Sequence, residues 1–169
     1  SSDVCSSDLN QIIEATARLG MRLVIAGQGG PEEIGLSEWP THVEFVGYAD
    51  LQKRKELMAR ARAFFIGSTY VEPFGGVVIE AGLSGTPVIT PPWGAFSEIV
   101  EHGVTGWKYQ TFDQLLWALS NINSISSNKC REFADLNFSL DVVAKRYEHV
   151  FADIHAVYSG KGWYQSHPG

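Results

Sequence analysis

Residues 63–90 read AFFIGSTYVEPFGGVVIEAGLSGTPVIT, and three features follow one another along that stretch. Ala63-Phe64-Phe65-Ile66 is a short apolar run closed by Gly67, the pattern of a buried strand. Pro73, Gly75 and Gly76 then make a turn. The helical pattern that follows over 76–84 stops at Gly85, a residue suited to the left-handed position just past a helix end. A second apolar run, Thr86-Pro87-Val88-Ile89-Thr90, ends at Pro91-Pro92. Strand, helix and strand in that order make a βαβ unit, which requires a parallel pair and a right-handed crossover.

The same alternation extends in both directions. Upstream, a helical pattern over 10–20 leads into Arg22-Leu23-Val24-Ile25-Ala26, a buried-strand pattern ending at Gly27. His42 to Val46 ends at Gly47, and a helical pattern covers 51–62. Downstream come helical patterns over 95–102, 112–122, 128–136 and 139–157, with a weaker strand over 105–109. The fold class is therefore α/β, a parallel sheet flanked by helices. Asn121 to Asn128 reads as a polar linker and 159–169 as a frayed tail. Asn137-Phe138-Ser139 fits a glycosylation sequon, but Ser139 is better read as the N-cap of the last helix. In such sheets ligands bind beyond the carboxyl ends of the strands, which here are 27–30, 47–50, 67–76 and 91–97.

Composition narrows the function. Thirteen basic against nineteen acidic residues leave a net charge of −6 over 169 residues, so no basic excess exists to release counterions from a nucleic-acid backbone. Hydrophobic residues at 44% and aromatics at 12% exclude a disordered chain. No apolar run reaches the ~18–20 residues of a membrane helix. Cys5 and Cys130 are too few for a disulfide framework, and a reducing, cytoplasmic setting is expected. His42, His102, His149, His155 and His167 lack metal-ligand spacing, so no metal is expected.

The chemistry concentrates between Glu72 and Glu80. A helix starting after two glycines leaves the amides of Gly75, Gly76 and Val77 without intrahelical partners. With the positive end of the helix dipole they suit a phosphate. A carboxylate stands on either side of that anion site, which suits a ligand that also carries a vicinal diol, as a ribose or hexose does. The plain alternative is a solvated loop acid at Glu72 and an exposed helix acid at Glu80.

The spacing E-P-F-G-x-x-x-x-E over 72–80 resembles the motif of retaining glycosyltransferases of family 4, which have the GT-B architecture. The neighbouring segments agree in order: Leu23 to Gly30 (LVIAGQGG), Val43 to Tyr48 (VEFVGY), Leu57 to Ser68, Gly85 to Ile89, Gly94 to Glu98 and His102 to Gly106. The likeness covers about residues 10–157. It implies a Rossmann-like C-terminal donor domain over 10–158, binding a nucleoside-diphosphate sugar as substrate with no further cofactor. It also implies roles: Glu72 catalytic, at the donor sugar; Glu80 at the ribose diol; Gly75, Gly76 and Val77 at the diphosphate; Tyr48 and Ala49 against the base. Phe74 and Gly29 complete the implied donor site. The full enzyme would transfer a hexose, with retention and without metal, to a glycan, lipid or protein acceptor held by an N-terminal domain. The chain has no Asp-x-Asp triplet, which suits that class.

The resemblance also implies a first strand before the helix at 10–20, followed by a loop whose Arg and Lys hold the diphosphate. Neither is present here, so the chain alone is expected to be inactive and marginally stable. In the usual strand order the first strand is central, and its absence leaves the strands at 22–26 and 63–67 facing a gap. Residues 1–9 read as non-native, because Ser2 to Leu9 resembles the conceptual translation of a sequencing adapter.

Other residues point elsewhere more weakly. Gly27-Gln28-Gly29-Gly30-Pro31-Glu32 fails the dinucleotide fingerprint at Glu32 and Pro31. Trp93 and Phe96 suit either stacking on a ligand or packing of their turn, and Glu98 has no assigned role. Trp107, Trp117 and Phe112 read as core. Lys53, Arg54, Lys55, Arg60 and Arg62 form a basic face, read as solvated in preference to contact with donor phosphates or a membrane surface. Two rival functions remain, a GT-B-shaped nucleotide-sugar epimerase and a non-catalytic nucleotide- or protein-binding module.

Overall fold

The computed structural model describes residues 6–161, with side chains over 9–160. Helix α1 (Ser6–Arg18) leads into strand β1 (Leu23–Ile25), a single 3-10 turn (Pro31–Ile34) and β2 (Val43–Phe45). Then come α2 (Leu51–Arg60), β3 (Phe64–Phe65), α3 (Gly76–Leu83), β4 (Val88–Thr90), α4 (Phe96–Ile99), β5 (Gly106–Lys108) and α5 (Phe112–Ser120). A 3-10 turn at Ile122–Ser124 precedes α6 (Ser127–Phe138) and α7 (Leu140–Ala156). The chain divides into two compact units, residues 1–133 and 134–169, with the boundary inside α6.

All strand pairs are parallel, as the βαβ reading requires. β1 pairs with β2 through Leu23↔Val43 and Ile25↔Phe45. β4 lies between β3, through Phe64↔Val88, and β5, through Val88↔Gly106. No ladder joins β1 to β3 among the described residues, so the sheet is split into two parts. The split falls where the expected gap lies. It also corrects the reading of 22–26 as a buried strand: β1 is only half-buried, and Val24 is 39% exposed.

Two apolar layers enclose the larger sheet. On one face Ile12 and Ala15 of α1 and Leu115, Ala118 and Leu119 of α5 pack with Ile89 and Tyr109. On the other, Met58 of α2 and Val78 and Ala81 of α3 pack with Val88, Phe96 and Val100. Successive residues of β4 thus feed opposite layers, the two-residue period of a strand buried on both sides.

Several sequence readings change. Residues 121–128 are more than a polar linker, because Ile122 and Ile125 are buried in the first layer and draw the chain into a turn. Trp117 is 52% exposed and meets Trp107 edge-on at 4.7 Å, so it rims the core instead of filling it. Ser139 does precede α7, but its side chain makes no cap bond. Past α7 a further turn covers Val157–Lys161 and is broken by the left-handed Gly160 (φ 84°); within it the Ser159 hydroxyl donates to the Ala156 carbonyl at 3.1 Å. Of the adapter-like segment, residues 1–5 lie outside the described residues, as do 162–169 of the tail, while Ser6–Leu9 belong to α1. Cys130 is free and buried, and burial pushes its thiol up to about 11.

Candidate functional site

The loop after β3 is shaped by Gly75. Its φ of 68° is left-handed, and a Cβ there would lie 2.8 Å from Ile99 Cδ1 and 3.2 Å from Phe96 Cε1, so only glycine fits. Gly75 caps α3 without offering a side chain, and the Gly76 and Val77 amides that open the helix have no intrahelical carbonyl to meet. Phe96 is fully buried beneath this turn, which decides between packing and stacking in favour of packing.

Glu72 is held from two directions. Its Oε1 accepts the Gly75 amide at 3.2 Å, so that amide, expected to face a diphosphate, is already engaged. Its carbonyl accepts the Ala95 amide at 2.8 Å, which ties the loop to the turn after β4. In the same turn the Trp93 indole donates to the Ser68 carbonyl at 3.0 Å, bracing the start of the loop. Trp93 remains partly exposed, as do Tyr70, Val71 and Phe74, the last at 67%. At the end of β5, Lys108 donates to the Ser97 carbonyl at 2.8 Å, and burial holds its amine below the ordinary lysine range.

Glu80 lies one turn further along α3 and is neither free nor fully solvated. Arg54 Nε donates to Glu80 Oε2 and a terminal Arg54 nitrogen to Oε1, both at 3.2 Å, a two-pronged pair across the α2–α3 seam. The basic face of α2 is therefore not uniformly solvated: Lys53 and Lys55 are exposed, whereas Arg54 turns inward to a carboxylate. Sequence reading missed this pair because its members are 26 residues apart. The available signal was a cation on the otherwise packed side of α2.

The remaining predicted residues lie at neighbouring strand ends. Tyr48, after β2, is 73% exposed, and Ala49 is buried at the entry to α2. Asp50 caps that helix by accepting the Lys53 amide at 2.8 Å. Gly29, after β1, has φ 94°, and a Cβ there would collide with the Glu33 carboxylate, as one at Gly30 would with that of Glu32. These two acids folding back on the glycine turn were also missed, although they sit in the first turn after Pro31. No group of three or more His, Cys, Asp or Glu residues capable of holding a metal occurs among the described residues.

The profile described as "Glycosyl transferases group 1" matches residues 7–134. An uncharacterized glycosyltransferase of Methanocaldococcus jannaschii is 34% identical over 135 residues, covering 76% of this chain and 34% of that protein. Glycogen synthase of Mycobacterium tuberculosis is 37% identical over 92 residues, covering 52% of this chain and 22% of that one. The chain thus spans between 22% and 34% of these curated relatives' length. Among solved structures, AviGT4, a glycosyltransferase of avilamycin A biosynthesis, superposes with a TM-score of 0.69 at 25% identity, over 89% of this chain and 47% of that one. HepE of Anabaena, solved with UDP-glucose, superposes with a TM-score of 0.68 at 22% identity, over 85% and 44%.

Proposed function

The chain belongs to the glycosyl transferases group 1 family, and from that premise we propose that it is the donor-binding domain of a retaining, metal-independent hexosyltransferase. Its substrate is a nucleoside-diphosphate sugar. The observation that carries this reading is the start of α3, where the open Gly76 and Val77 amides lie between the Glu72 loop and Glu80.

In this reading the diphosphate sits on the Gly76 and Val77 amides, joined by Gly75 when the Glu72 carboxylate turns toward the sugar. Charge grows on the diphosphate as the anomeric C–O bond breaks and the nucleotide leaves with the bonding pair. Preoriented amides at a helix start stabilise that charge without reorganising. Glu72 accepts hydroxyls of the sugar and supports positive charge developing at the anomeric carbon; it is not assigned as a nucleophile. Glu80 accepts the ribose hydroxyls, Tyr48 and Ala49 lie along the base, and Phe74 and Gly29 border the donor. An acceptor hydroxyl would come from a further domain, so this chain by itself transfers little or nothing. The UDP-glucose bound by HepE, on a shared fold, supports the ligand class.

A thermal melt followed by tryptophan fluorescence, with UDP, GDP or ADP at millimolar concentration, tests the reading. A nucleotide at ~100 times its dissociation constant adds ~2.7 kcal/mol to the folded state. One nucleotide is expected to raise the melt, Glu80→Ala to cut the rise to roughly half, and Glu72→Ala to leave it. Equal nucleotide affinity in wild type and Glu80→Ala overturns the ribose assignment, and no response to any nucleotide overturns the site.

A further inference from the structure

We propose that Arg54 is a positioning residue for donor binding, its guanidinium fixing the Glu80 carboxylate in the orientation that accepts a hydroxyl of a nucleotide ribose on an outward lone pair. The inference rests on the reading of Glu80 given above and adds a residue that the E-P-F-G-x-x-x-x-E motif does not contain.

The geometry is that of a fork on a carboxylate. Nε and a terminal nitrogen of Arg54 each reach one oxygen of Glu80 at 3.2 Å, which sets the plane of the carboxylate as well as its position. An ionised carboxylate offers about four acceptor sites. The fork occupies the convergent lone pair of each oxygen and leaves the outward one on each, so either oxygen can still accept one hydroxyl from a ligand. Both side chains stay about a third exposed, 34% for Arg54 and 37% for Glu80, so a ligand can reach the free lone pairs.

The place of Arg54 argues in the same direction. It lies in the first turns of α2, five residues beyond Ala49, where the positive end of the helix disfavours a cation. Lys53 and Lys55 meet that condition by extending into solvent; Arg54 instead spans the seam to Glu80. A half-exposed ion pair contributes little to stability. Its effect is therefore expected in how Glu80 is held, between the base-side loop at 48–49 and the phosphate-side amides at 76–77.

The test measures the affinity of the whole chain for whichever of UDP, GDP and ADP it binds most tightly, and for the matching 2′,3′-dideoxy nucleotide. Wild type is expected to prefer the ribonucleotide by about tenfold, the loss of a hydrogen bond to a charged group. Arg54→Met should bring that preference close to one while leaving dideoxy affinity nearly unchanged. Arg54→Lys, which keeps the charge but not the fork, should lose most of it, and Glu80→Gln combined with Arg54→Met should be no worse than Glu80→Gln alone. A cooperative melt checks each variant, and Arg54→Lys carries the comparison if Arg54→Met does not fold. An undiminished ribose preference in both Arg54 variants, or an equal fall for both nucleotides, overturns the proposal while leaving Glu80 at the ribose. Retention of the preference in Glu80→Gln overturns the reading beneath it, and the proposal falls with it.

Discussion

At Gly94 the backbone turns through φ 59° and runs against the Glu72 segment. A Cβ there would lie 2.8 Å from the Glu72 carbonyl oxygen and 2.9 Å from its amide nitrogen. Both the conformation and the contact demand glycine, and neither neighbour is a flexible side-chain end that could move aside. Gly94→Ala is expected to cost about 1–3 kcal/mol in urea unfolding and to displace the Glu72 carbonyl from the Ala95 amide. Unfolding within 0.5 kcal/mol of wild type (roughly the spread of neutral surface substitutions) would contradict this. The sequence made Gly75 legible, since paired glycines ahead of a helical run have a local meaning. Gly94 was not legible, because what forbids its side chain is a backbone distant in sequence. The pairing of Arg54 with Glu80 escaped for the same reason: spacing within one helix says nothing about which carboxylate a neighbouring helix presents.

The helices differ in how their first amides are satisfied. α5 carries a full capping box, in which Thr111 accepts the Gln114 amide at 3.3 Å and the Gln114 side chain accepts the Thr111 amide at 3.3 Å. α2 is capped by Asp50. α3 has a glycine in that role and no side-chain cap. Thr111→Ala is therefore expected to lower stability by about 1 kcal/mol, read as a shift in the chemical-denaturation midpoint, without altering nucleotide affinity. Affinity that fell with stability would tie α5 to the site. Element positions were largely legible: the pattern over 51–62 became Leu51–Arg60, that over 76–84 became Gly76–Leu83, and that over 112–122 became Phe112–Ser120. What was not legible was the turn at Ile122–Ser124. Polar neighbours in NINSISSN masked two isoleucines whose burial depends on α5 and the strands beneath them.

Across the whole molecule the decisive feature is the division of the sheet into β2–β1 and β3–β4–β5. The family strand order anticipated where that division falls; composition and periodicity alone did not. A sheet divided in this way forgoes ladder bonds at its middle, so the chain is expected to melt below ~65 °C, the upper end of the usual mesophile range, and a cooperative transition well above it would contradict this. The division also leaves a record in isotope exchange. Leu23 donates to His42 and Ile25 accepts from Val46, so the alternation of a strand turns the Val24 amide away from β2. Phe64 and Ile66 donate toward β4, which turns the Phe65 amide away from that strand in the same manner. Dissolved in deuterium oxide, the protein should exchange Val24 and Phe65 early. Ile89, fully buried in the central strand β4, should keep its proton until the entire domain opens. The protons at Val24 and Phe65 would thus act as a clock for the middle of the sheet. Any segment that completed it would slow their loss and leave the rate at Ile89 bounded by global stability.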